Sequence, residues 1–83
     1  MRSIMSNQML DNYGKPRSEY TDRIQSMSDT ALLKETEEKI WLSAYAANNP
    51  RSDYHWHATS CYGEWERRGK VDQYTVAYNR ASA

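Results

Sequence analysis

The segment SDYHWHATSCYGEWERRG, residues 52–69, gathers two histidines, two tryptophans, two tyrosines and the only cysteine of the chain into eighteen positions. Its reading decides the fold. At about 3.6 residues per turn, successive side chains rotate by roughly 100°. Tyr54, Ala58, Cys61 and Trp65 then stand at i, i+4, i+7 and i+11 on one narrow face. That spacing predicts a helix that packs through its rings against a second helix. Ser52 or Asp53 is placed to cap it, Glu64 and Arg68 make an i, i+4 pair, and Gly69 ends it. Cys61 is expected inside, as a small apolar residue and not as a nucleophile.

Residues 28–50 supply the partner helix. Ser28 or Asp29 can cap it, Asn48, Asn49 and Pro50 stop it, and Glu35 precedes Lys39 in the favourable i, i+4 order. Its expected core line is Leu33, Ile40, Ala44 and Ala47, widened on one side by Trp41 and Tyr45. Tyr20, Ile24 and Met27 predict a short amphipathic helix ahead of it, and Tyr74, Ala77, Tyr78 and Ala81 predict a closing helix capped by Asp72. No stretch alternates as a strand does. The expected architecture is all-α: a small bundle built on an antiparallel helical hairpin with short flanking helices. Residues 19–83 form its single domain, and residues 1–18, with Gly14 and Pro16 and no sustained period, form a flexible arm.

Composition narrows the classes of function. The formal net charge is zero, so the basic footprint of a general nucleic-acid binder is missing. Phe is absent, and the interior must draw on seven Tyr, three Trp and four Met, which makes a thin core for a chain of 83 residues. One cysteine cannot form an internal disulfide, so self-association is the remaining ordinary way to gain stability. The lone cysteine and the lack of a secretory apolar segment predict a reducing, cytoplasmic setting, and no apolar run reaches the roughly twenty residues that span a bilayer. No membrane partner is expected.

The chemistry-bearing residues of 52–69 do not add up to a reaction centre. His55 and His57, two apart on a helix, point to opposite sides and cannot share an ion. Asp53, His57, Cys61 and Glu64 follow one edge and include zinc-ligand types, but one straight helix cannot surround a metal. Cys61 beside His57 lacks an oxyanion pocket, and Glu64 and Glu66 lie on different faces. No metal, no cofactor and no catalytic residue is therefore expected.

Opposite the seam lies a second stripe: Trp56, Ser60, Gly63 and Arg67. A mid-helix glycine costs about 1 kcal/mol relative to alanine, which points to close approach by another backbone or a bulky group. Two readings stand. Either the closing helix packs here through Tyr74 and Tyr78, or the stripe meets another molecule, a second copy or a different protein. Trp and Arg are enriched among interface anchors, so a partner surface of Trp56 and Trp41 with Arg67, Arg68 and Tyr62 around them is the leading expectation. A nucleic-acid or nucleotide site on Arg67, Arg68 and Lys70, with Trp65, His57 and Arg51 nearby, is the alternative.

The strings SDYHW, CYGEWERRG and YTVAY, preceded by IQSMSDTALLKE, resemble a pattern in small helical proteins encoded by tailed bacteriophages. The resemblance covers about residues 22–80. It implies an accessory protein acting in the host cytoplasm by binding and inhibiting or modulating a host bacterial protein of the defence, transcription or replication machinery. It carries over no residue role.

Overall fold

The structure, a computed structural model, describes residues 10–11, 14–45 and 53–82. Among these, the order is α1 (Ser18–Gln25), α2 (Asp29–Tyr45), α3 (Tyr54–Arg67) and α4 (Val71–Ser82), with no strand. The small all-α bundle expected from the periodicity is the observed architecture. Contacts between α2 and α3 run Asp29 to Arg68, Thr36 to Trp65 and Ser43 to His55, so the two helices are antiparallel. On the far side α4 places Tyr74 against Tyr62 and packs Ala77 with Ala58 and Ile40, which makes it antiparallel to α3.

Local chemistry sets the helix ends. Ser28 Oγ accepts the Ala31 amide at 3.1 Å and caps α2. Asp53 stands at the N-cap of α3, but its carboxylate takes the Trp56 indole N–H at 2.9 Å and makes no capping bond. Gly69, at φ +72°, ends α3: its amide bonds the Glu66 carbonyl at 3.0 Å and the Lys70 amide bonds the Trp65 carbonyl at 2.9 Å. This left-handed stop lets α4 begin at Val71 almost at once. Asp72, expected as the cap of α4, lies inside its first turn.

The seam of α3 is where the spacing put it. Ala58, Cys61 and Trp65 are buried, and Tyr54 is half-buried. On α2 the buried line is Leu32, Thr36 and Ile40, which keeps the expected Ile40 but takes Leu32 in place of Leu33 and adds Thr36. Leu33 lies beside it, half-buried between the two halves of the core, whereas Ala44, Trp41 and Tyr45 are exposed. Ala47 is outside the described residues. The line differs because Thr36 is a core residue: its hydroxyl donates to the Leu32 carbonyl at 2.6 Å and accepts the Trp65 indole N–H at 2.9 Å, so it is fully satisfied inside. Tyr20 and Ile24 of α1 complete this end of the core, with Met27 against them.

In the stretch expected to be an arm, residues 10–11 and 14–17 make a turn held by Asp11 and Lys15. Arg17 lies with its guanidinium 4.6 Å from the Trp56 ring centroid. The rest of that stretch is outside the described residues.

Candidate functional site

The expected partner residues do not form one surface. Trp56 is half-buried within the fold, edge-on to Tyr20 at 5.6 Å between centroids and covered by Arg17, so it anchors α1 and not a visitor. It also meets the His57 ring, at 4.3 Å between centroids. Arg68 is a clasp: Nε donates to Glu64 at 2.6 Å, one amino group to Asp29 at 2.7 Å, and the other to the carbonyls of Ile24 at 3.1 Å and Met27 at 2.8 Å. It ties the end of α1, the start of α2 and the end of α3 together, and is unavailable to a partner. Lys70 also pairs with Asp29.

Glu64, only 4% exposed, is the residue whose role its pairing with Arg68 did not reveal. Its two oxygens accept from Arg67 at 2.9 and 2.6 Å and from Arg68 at 2.6 Å. The Arg67 bonds hold its carboxyl below the usual glutamate range, against the upward push of burial, and Arg68 adds to the lowering. The cations of residues 66–70 are thus largely neutralised from within, and Arg51 lies outside the described residues.

A polar knot sits beneath α1. Tyr20 Oη donates to Glu35 at 2.6 Å and lies 3.4 Å from Cys61 Sγ, while Lys39 pairs with Glu35 at 2.9 Å. Burial first, then the bonds to Cys61 and Glu35, pushes the Tyr20 phenol far above its ordinary value. Burial likewise raises the Cys61 thiol. Burial works to raise Glu35 too, but the bonds from Tyr20 and Lys39 outweigh it and keep the carboxyl low. At neutral pH the knot therefore holds a protonated thiol, a protonated phenol and one carboxylate, an arrangement that stores no activated nucleophile. His57 stacks on Tyr20 at 4.1 Å and its Nδ1 is buried with no hydrogen-bond partner among the described residues. It lines a cleft of about 310 Å³ with Asp11, Pro16, Glu19, Tyr20 and Arg23. Among the described residues, no three His, Cys, Asp or Glu side chains converge as metal ligands, and no helix is long and apolar enough to cross a membrane.

Most of the large hydrophobic side chains exposed among the described residues are aromatic. On α3, Tyr62 is 39% exposed and meets Tyr74 edge-on at 5.1 Å, and Tyr78 of α4 is 53% exposed. Burial raises the Tyr74 phenol, with Cys61, Tyr78 and Tyr62 adding to the shift. Gly63 is exposed beside them, and a Cβ built there meets nothing within 4 Å, so the close approach expected at this glycine is not made inside the fold. Ser60 is half-buried, and Arg67 extends into solvent from its bonds to Glu64. On α2, Trp41 and Tyr45 stack in parallel at 5.4 Å, 52% and 79% exposed. The aromatic candidates therefore divide into two faces, one across α3 and α4 and one along α2. Compared with protein-family models, curated proteins and solved structures, the chain matches none.

Proposed function

We propose that this chain is a non-catalytic binding protein of the phage-encoded kind its sequence resembles. It docks on a host bacterial protein through the Tyr62, Gly63 and Arg67 face of α3, with Tyr78 alongside, and inhibits or modulates that protein. One observation carries the reading: a chain short of apolar residues buries Thr36 and Glu64 yet leaves Tyr62 and Tyr78 in water. Rings withheld from a thin core are best accounted for by a second surface that needs them. Gly63 leaves a flat place between those rings and Arg67, and the bidentate hold of Glu64 fixes the guanidinium before a partner arrives, which lowers the ordering cost of binding. Arg68 and Lys70 are tied to Asp29, which lends little support to nucleic-acid binding through Arg67, Arg68 and Lys70.

The experiment is comparative capture. Tagged wild-type chain and the variants Y62A/Y78A and R67E are exposed to nuclease-treated bacterial lysate, and bound proteins are identified by mass spectrometry. A protein retained by the wild type and lost from both variants, with helicity unchanged, supports the reading. Equal retention by all three removes this face from consideration.

A further inference from the structure

The other aromatic face has a different geometry. Trp41 lines an open groove of about 710 Å³ between α2 and α4, with Ala31, Lys34 and the acidic Glu35, Glu37 and Glu38 on the α2 side and Arg80 and Ala81 on the α4 side. Ala31, Lys34, Glu38 and Trp41 are exposed on one side of α2, and read along the helix they run small, positive, negative, large. A second α2 laid antiparallel presents the same series reversed, so each feature meets its complement. We propose that this face seats a second copy of the chain. The two α2 helices lie antiparallel about a two-fold axis level with Thr36, Trp41 of each protomer enters the groove beside Ala31 of the other, and Lys34 of each pairs with Glu38 of the other.

Three observations favour a second copy over an unrelated protein. The complementarity is internal to the face, as a two-fold contact requires: whatever one protomer offers, the other must accept at the mirrored position. Lys34 has no ion pair among the described residues, and Glu38 has only a 3.5 Å contact with its neighbour Lys39. The chain's net charge is zero, so no long-range repulsion opposes self-association. The register also brings two like-charged couples level, Glu35 of each protomer with Glu37 of the other. Glu35 is already tied to Lys39 and Tyr20 inside its own protomer, which blunts that conflict. This proposal is independent of the host-protein reading, which uses the α3–α4 face.

Sedimentation velocity on purified protein tests it, with circular dichroism confirming that every variant keeps its helicity. The wild type is expected to show a concentration-dependent shift from monomer to dimer mass. W41A, K34E and E38K are each expected to remain monomeric. Mixing K34E with E38K restores both opposite-charge couples across the axis, so the mixture is expected to dimerise, and so is the double variant K34E/E38K. Y62A, on the other face, is expected to dimerise as the wild type does. A wild type that stays monomeric at every concentration overturns the proposal. So do dimers of K34E or E38K alone, a mixture that fails to associate, or loss of the dimer in Y62A.

Discussion

The Trp65 indole N–H donates to Thr36 Oγ1 at 2.9 Å, joining α3 to α2 through two residues that are both fully buried. A hydrogen bond inside a ring-built core makes the two positions interdependent. Trp65→Ala removes the largest buried side chain and is expected to lower stability by about 3 to 5 kcal/mol. Thr36→Val preserves shape but strands the indole N–H, with an expected loss of about 1 to 3 kcal/mol. In urea unfolding the double variant is expected to lose less than the two single losses combined. Strict additivity would mean that the bond contributes nothing.

The Arg68 clasp carries a second expectation. Arg68→Ala leaves Glu64 with Arg67 alone, and frees the Ile24 and Met27 carbonyls at the α1–α2 junction. A loss of about 1 to 3 kcal/mol is expected. Lysine should not rescue it, because one ammonium cannot reach Glu64, Asp29 and two carbonyls in the planar fork that a guanidinium offers. Protease cleavage within α1 is expected to accelerate in both variants. Equal cleavage in wild type and Arg68→Ala would show that α1 is held by Tyr20 and Ile24 packing alone.

These two cases also show what periodicity could and could not reveal. The α3 seam was legible because Ala58, Cys61 and Trp65 are apolar at helical spacing, and Gly69 was legible as a stop because the left-handed turn suits glycine. On α2 the spacing finds Ile40 but not Leu32 and Thr36, because a hydropathy reading rejects Thr36, whose burial depends on a donor 29 residues away. The i, i+4 pairing of Glu64 with Arg68 was visible, but its burial was not, since Asp29 and the α1 carbonyls arrive only through tertiary folding. Trp56 has two readings in the sequence, inward beneath the closing helix or outward against a partner, and the structure turns it inward beneath a different helix. The helix that covers it, α1, precedes it by some thirty residues, and no local pattern announces that contact.

Cys61 offers a probe of the polar knot. The thiol is fully buried, raised by burial, and in contact with Tyr20 Oη at 3.4 Å. Labelling by a thiol-directed disulfide reagent is expected to be negligible in the native state and complete on unfolding. Tyr20→Phe keeps the ring but removes the hydroxyl that joins Glu35 to Cys61. Labelling through local opening of α1 is then expected to rise at least several-fold. Rapid labelling of the native wild type would contradict the placement of Cys61 in the core.

His57 predicts a distinct limb of pH dependence. Burial lowers its pKa below 6.5, Lys39 and Arg23 act in the same sense, and Asp53 and Glu35 oppose them. Because the folded value lies below the unfolded one, the unfolded chain takes up the proton first. The contribution to stability is complete above pH 6.5 and is lost as the pH falls through the folded value. Glu35 and Glu64, also lowered, act in a separate window: their contribution is present above 4.5 and fades as the pH falls through their folded values. Acid should therefore weaken the fold in two stages. His57→Phe keeps a ring to stack on Tyr20 and dispenses with the unpartnered Nδ1. It is expected to abolish the first stage, whose slope stays below one proton per molecule, and to leave the second unchanged. Urea midpoints measured across both windows decide the matter, and an undiminished first stage in His57→Phe would assign that limb to another group.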